Sequence, residues 1–257
     1  MLRFWSRTNN GINDSGNKLI MQPDFSVRST LPEKMDDEGV SISEIHQALI
    51  ELEKINRLLG GYNVVFNALK KIKWPKRLVT IMDLGSGGGD MLRAIAEWAK
   101  KNNKEVQLIG VDRNPVMTNF ANEKSNEISN TQFITMDVFD DRLLEYKADI
   151  TMCTLFCHHF DDDKLVALIK RMCELTSYKV IVNDLDRNWF AYHSFKLISG
   201  LFSKSALVKY DGPLSVARSL TRENWISILE KAQITNFTLV WKWAWRWQLI
   251  INKETNA

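Results

Sequence analysis

Apolar and polar positions follow two different rhythms along this chain. From Ile45, apolar residues recur at steps of three and four through Leu49, Leu52, Ile55 and Leu59, the stripe of a single helix face. Ser41 stands three residues ahead of Glu44, the reciprocal pairing that satisfies free amides at a helix start, and Gly60-Gly61 supplies the stop. A second short helix is predicted over 63–71, ending ahead of Pro75 because the residue before a proline is pushed out of the helical region.

From there the rhythm changes to short apolar runs separated by helical patterns. Strands are predicted at 78–84, 106–111, 132–136, 150–155 and 180–182, and helices at 90–101, 115–123 and 162–176, with Asp161 as a cap for the last. Strands that are apolar on both faces and alternate with helices imply parallel pairing through crossover helices, hence a doubly wound α/β sheet. The pattern breaks between 186 and 220, where NWFAYHSFKLISGLF reads as an amphipathic helix and YDGPLSVARS as turn-rich. An insert there can build a lid or substrate pocket, or be a structural excursion. Thr221 opens a further helix to about 232. In FTLVWKWAWRWQLIIN the alternation predicts an outer hairpin turning near Ala244. The alternative is one long strand with Trp241, Trp243, Trp245 and Trp247 on a single face, stacking on a ligand ring or on bases.

Composition narrows the partners. At 257 residues the chain suits one large domain with a modest appendage, and its formal charge of +3, with no dense Lys/Arg stripe, gives no argument for nucleic acid. Cys153, Cys157 and Cys173 are odd in number and lack CxxC spacing, which suggests neither disulfides nor zinc, no metal site, and a reducing, cytoplasmic setting. No run approaches the roughly 18 to 20 apolar residues of a membrane span. The first 20 residues are polar, Asn/Gly/Ser-rich and a poor signal peptide, so residues 1–40 are expected to form a disordered or extended tail, with Met21 as an alternative start. Oligomeric state is left open.

Four of the chain's 12 glycines fall at Gly85, Gly87, Gly88 and Gly89, in IMDLGSGGGD, directly after the first predicted parallel strand. Such a turn lets a ligand approach the backbone, and the helix start behind it favours polar or anionic groups. A mononucleotide P-loop requires Lys-Ser/Thr after its last glycine, where this chain has Asp90-Met91. The dinucleotide fingerprint needs glycine at position 90, and the aspartate there would repel a pyrophosphate.

What remains, Asp83, Gly85, Gly87 and Gly89, resembles motif I of the class I S-adenosylmethionine-dependent methyltransferases. The resemblance extends over about 78–185 and implies that fold, a mostly parallel seven-stranded Rossmann-like sheet. It would carry a helical cap at 41–75 and a lid insert at 186–220 within a domain from 76 to 257. It also implies S-adenosylmethionine as cofactor. Asp112, at the end of VQLIGVD, would take the ribose hydroxyls, and Asp137, in QFITMDV, the adenine amine with Val138 beside it. Cys153 and Thr154, in ADITMCTLFCHHF, would border the methionine part. A nucleotide-binding sheet of another kind, such as a dinucleotide oxidoreductase, and a non-catalytic S-adenosylmethionine binder or partner subunit stand as alternatives.

The catalytic candidates cluster after the fourth and fifth strands. His159 resembles the loop histidine common in small-molecule methyltransferases, and a neutral imidazole can accept a phenol or carbon-acid proton. His158 and Asp184, the latter in VIVNDLDR, are the other candidates. Phe156, Trp189, Phe190 and Phe195 are expected to wall an apolar acceptor pocket, with Tyr192, His193 and Asp211 in reach of the acceptor. A narrower resemblance rests on PEKMDD, INRLLGG, LFCHHF, VNDLDR and DGPLSVARS, which together look like a bacterial small-molecule subgroup associated with type III polyketide synthases. It implies an aromatic or polyketide-like acceptor methylated at oxygen or carbon, as part of secondary metabolism.

Overall fold

The structure, a computed structural model, describes residues 24–37 and 39–253. The expectation of a disordered stretch over 1–20, with Met21 as an alternative start, lies outside them. Seven strands, β1 (Val79–Leu84), β2 (Val106–Asp112), β3 (Thr131–Thr135), β4 (Ala148–Thr154), β5 (Thr176–Leu185), β6 (Phe237–Lys242) and β7 (Arg246–Asn252), form one sheet. Their order is β3-β2-β1-β4-β5-β7-β6, with the first five parallel and β7 antiparallel to both of its neighbours. This is the mostly parallel seven-stranded sheet expected from the sequence.

Eight helices pack around it: α1 (Ile42–Leu58), α2 (Gly61–Lys70), α3 (Asp90–Lys101), α4 (Pro115–Lys124), α5 (Asp162–Leu175), α6 (Trp189–Phe202), α7 (Ala206–Arg218) and α8 (Arg222–Lys231). Strand side chains alternate between faces, so Ile81 joins the core under α2 and α3 while Met82 joins the one under α5 and α8. With both faces covered, the inner strands need apolar residues at every position, hence their unbroken runs. Capping sets the helix starts. Ser41 and Glu44 exchange the reciprocal bonds of a capping box, Asn114 accepts from the Val116 amide at 2.9 Å, and Asp161 accepts from Lys164 at 2.8 Å.

The insert differs from its sequence reading. The stretch read as turn-rich is the body of α7, with Pro213 inside the helix. Tertiary contacts outweigh the local turn chemistry here. Asp211 accepts the amides of Lys34 and Met35 at 2.7 and 2.9 Å, and a Cβ on Gly212 would meet the Phe195 ring at 2.1 Å, so glycine is required for α6 and α7 to approach. On α6 the large apolar side chains Trp189, Phe190, Leu197, Leu201 and Phe202 face solvent, while Ala191 and Ser199 face inward.

The last two strands form the expected hairpin, turning over Trp243, Ala244 and Trp245. Trp241 and Trp247 pair across it, and both indole nitrogens donate to Asp186, at 3.3 and 3.0 Å.

Residues 24–37, which the sequence assigns to a tail, strap the carboxyl edge of the sheet. Arg28 donates to the carbonyls of Phe160 and Arg218 at 2.8 and 2.9 Å and pairs with Asp162, and the Ser29 amide donates to Ala217 at 3.0 Å. Polar composition hid this order, because the strap is fixed by side chains far along the chain.

Candidate functional site

A cavity of about 870 Å³ opens at the carboxyl ends of β1, β2 and β4, beneath α1, α7 and the strap. Open α/β sheets bind ligands at that edge. Its floor is the glycine turn, where Gly85, Gly87 and Gly89 take φ of 70°, 50° and 73°. Their uses differ. A Cβ on Gly85 would meet Phe156 at 2.2 Å and one on Gly89 would meet Phe133 at 2.5 Å, so these two glycines make room for the protein's own rings. A Cβ on Gly87 would have a Leu49 methyl as its nearest neighbour, 4.0 Å away, so the turn faces open space at this position.

Three carboxylates gather on that floor. Asp83 is 2% exposed and its Oδ1 has no partner among the described residues; burial, with Asp90 and Asp112 nearby, holds its carboxyl well above the usual range. Burial also raises Asp90, partly offset by the Tyr62 hydroxyl donating at 2.8 Å. It raises Asp112 as well, against the amides of Asn114 and Gly87, each donating at 2.9 Å. Among the described residues no cationic side chain is hydrogen-bonded to these three acids. Arg93 acts on Asp90 and Arg113 on Asp112 only through space, so this acidic floor suits a ligand bearing positive charge or hydroxyls, and the orphaned Asp83 and Ser86 oxygens are polar atoms it can pair with.

Asp137 and Val138 line the next part of the wall, Asp137 accepting from the Phe139 amide at 2.8 Å. Thr154 lines the cavity with its hydroxyl unpartnered. Cys153 does not line it; it lies behind the wall with its Sγ 3.4 Å from that of Cys157.

The short 3-10 turn Cys157–His159 follows β4. Arg218 fixes it by donating to the carbonyls of His158 and His159, at 3.2 and 3.0 Å. His158 is 3% exposed, with Nδ1 2.7 Å from Asp184 and Nε2 3.5 Å from Glu33. Burial alone would push its pKa down, but the two carboxylates outweigh burial and raise it to about 10. His158 is therefore an imidazolium at neutral pH and has no lone pair with which to take a proton. Asp184, fully buried and also accepting from the Leu185 amide at 2.7 Å, does not reach the cavity.

His159 does reach it. Its Nδ1 is 3.2 Å from Asp36, a carboxyl held below its ordinary value by the hydrogen bond from His159. An ionised Asp36 accepts only, so Nδ1 donates to it, while Nε2 lies 3.8 Å from Glu33.

Glu33, His158 and His159 each offer one ligand atom, all within 4.8 Å of one another, a donor set that suits a divalent ion. Arg218 Nε also lies 3.9 Å from Glu33, so two cationic side chains, His158 and Arg218, stand beside that carboxylate.

Of the acceptor residues named from sequence, Phe156, Phe195 and Asp211 line the cavity. Trp189, Phe190, Tyr192 and His193 do not. They lie on faces of α6 turned away from it, Tyr192 against Phe25 and His193 against Trp189. Four residues of the site went unassigned in the sequence. Glu33 and Asp36 sit in PEKMDD, a string noticed only as a resemblance. Arg218 sits in DGPLSVARS, likewise noticed only as a resemblance. Arg246, the first residue of β7, is a charge at the head of a largely apolar strand.

Residues 81–179 match the family described as "Methyltransferase domain". The chain is 24% identical over 211 residues to the carboxy-S-adenosyl-L-methionine synthase of Helicobacter pylori, covering 77% of this chain and 84% of that protein. The structure of human N-acetylserotonin methyltransferase in complex with SAM is similar with a TM-score of 0.60 at 16% identity, over 83% of this chain and 56% of that one. That of the plantazolicin methyltransferase BpumL in complex with SAH gives 0.57 at 18%, over 83% and 89%. The chain spans only 56% to 60% of the length of several longer structures it matches. At these identities the structural likeness establishes the fold.

Proposed function

Starting from a chain that is an enzyme, carries a methyltransferase domain over residues 81–179 and takes S-adenosylmethionine as cofactor, we propose that it methylates a small-molecule acceptor in the cavity beneath α1 and α7. The observation that carries this reading is the floor: three acids with no cationic side chain bonded to them, one with an orphaned oxygen, around a turn open at Gly87. Bound there, the cofactor supplies an electrophilic methyl group on a positively charged sulfur. Asp83, Ser86, Gly87 and Asp112 would hold its polar groups, with Asp137 and Val138 at the base and Thr154 toward the methionine part. A carboxylate field stabilises that positive charge, and it would repel the diphosphate of a dinucleotide.

The acceptor end is supported by different residues. Leu155, Phe156, Leu185, Phe195 and Val208 give apolar walls, which suit an aromatic or polyketide-like ring methylated at phenolic oxygen or ring carbon. His159 takes the acceptor's proton on Nε2, with Asp36 holding Nδ1–H and so fixing the tautomer. His158 and Asp184 act as positioning residues: their buried ion pair, with Arg218 on the backbone, sets where the His159 ring stands. The protein's own contribution is alignment and proton removal, because displacement at an activated carbon mainly requires collinear reactants.

The test is methyl release from radiolabelled S-adenosylmethionine across a panel of phenols and acyl-phenols. Acceptor-dependent product formation is expected, and a panel of wide chemistry that yields none, with S-adenosylhomocysteine binding intact, overturns the acceptor class. In the same protein Asp112→Ala should weaken S-adenosylhomocysteine binding by about 1.5 to 3 kcal/mol, the scale for hydrogen bonds to a charged group. Calorimetry that finds unchanged affinity would remove Asp112 from the cofactor site.

A further inference from the structure

Arg246 opens β7 beside Leu185 of β5, and the sheet buries it to 2% exposure. Its Nη2 donates to Asn56 Oδ1 at 3.1 Å, while Nε and Nη1 have no hydrogen-bond partner among the described residues. Burial pushes its pKa down to about 10, which still leaves the guanidinium charged at neutral pH. The acids whose fields partly support that charge, Asp184 and Asp90, are engaged elsewhere: Asp184 with His158 and the Leu185 amide, Asp90 with Tyr62 and Asn56.

A buried guanidinium left short of acceptors is destabilising, since unmade hydrogen bonds from charged donors forfeit their full desolvation energy. Yet the fold makes room for this one. A Cβ on Gly61 would stand 1.7 Å from Asn56 Oδ1 and 3.0 Å from Arg246 Nη2, so α2 must begin with glycine for the pair to fit. Arg246 also lines the cavity, next to apolar Leu185 and Phe195.

We propose that Arg246 is a carboxylate anchor, and that a ligand of this cavity accepts hydrogen bonds from its free N–H groups. Asp83 and Asp112 repel an anion from the glycine turn of the same cavity, and Asp90, joined to Arg246 through Asn56, is already bonded to Tyr62 and Asn56, which leaves the guanidinium as the cationic group that lines the cavity there. Charge-assisted pairing with a guanidinium is about twice as strong as a neutral hydrogen bond and selects planar carboxylates. Two molecules could bring the carboxylate: the methionine part of the cofactor, or an acceptor that is an aromatic acid. The inference rests on the methyl-transfer reading only for which of these carries it.

Calorimetry separates the sources without turnover. S-adenosylhomocysteine is compared with its decarboxylated counterpart, and benzoate with benzamide in the presence of S-adenosylhomocysteine. A preference of about tenfold or more for the acid in the first pair assigns the anchor to the cofactor, and in the second pair to the acceptor. That preference should vanish in Arg246→Met and be partly kept in Arg246→Lys. Both comparisons are read first in the unaltered protein, so a variant that does not fold leaves the test standing. Equal affinity within both pairs, or a preference that survives in a folded Arg246→Met, overturns the proposal. Benzoate binding with no methyl release from any phenol would sink the acceptor class while leaving the anchor in place.

Discussion

Replacing His159 with alanine is expected to lower kcat by about 10²- to 10⁴-fold, the usual contribution of a positioned general base, with S-adenosylhomocysteine affinity unchanged. The ring lines the cavity but touches none of the three floor acids, so cofactor binding has no reason to change. Asp36→Asn should cause a smaller loss. It removes the ionised acceptor that holds Nδ1–H, frees the other tautomer, and leaves the ring present but less often correct. Rate measurements with the best acceptor from the panel, alongside calorimetry, decide the matter. Equal losses in rate and cofactor affinity for His159→Ala would make that histidine a wall residue. The strap then gains a function beyond packing, because it brings Asp36 and Glu33 to a turn more than a hundred residues away in sequence.

The largest stability effect is expected at Asp184. Removing it leaves the buried His158 charge facing Glu33 alone, and breaking one partner from a buried pair costs about 3 to 5 kcal/mol. Denaturant midpoints of Asp184→Ala at pH 7 measure this, and a change of under about 1 kcal/mol would mean that the pair is not an ion pair at all.

Its pH dependence has a fixed sign. His158 binds its proton more tightly folded, at about 10, than at its ordinary 6.5. Its contribution is therefore complete below pH 6.5 and is lost as pH rises toward 10. Asp184 is depressed, because the His158 charge outweighs its burial, and its contribution is lost in acid as pH falls through the folded value. Wild-type stability should decline between pH 6.5 and 10, and His158→Gln should flatten that decline. A wild-type profile level across this range would put the His158 proton elsewhere.

Much of this protein was legible without coordinates. The starts of α1, α3, α4, α5 and α8 are marked by residues within four positions of one another, and the inner strands by apolar runs that only a sheet covered on both sides requires. Asp83, Asp112 and Asp137 were legible because each lies within two residues of a strand's carboxyl end, and parallel strands bring those ends to one edge by geometry alone. The insert shows where this ends. Pro213 and Gly212 are turn formers by local rule, yet α7 runs through them, since Asp211 must meet the strap and Gly212 must admit Phe195.

Sequence by itself determined the repeating layers, the glycine turn and the row of acids, because these follow from short-range periodicity and from the direction of strands. Only the tertiary structure decided that His159 lines the cavity while His158 is buried between two carboxylates, that residues 24–37 strap that cavity, and that Arg246 stands beside it. Those properties depend on burial and on partners brought together across up to about two hundred residues, and neither is encoded in the spacing of near neighbours.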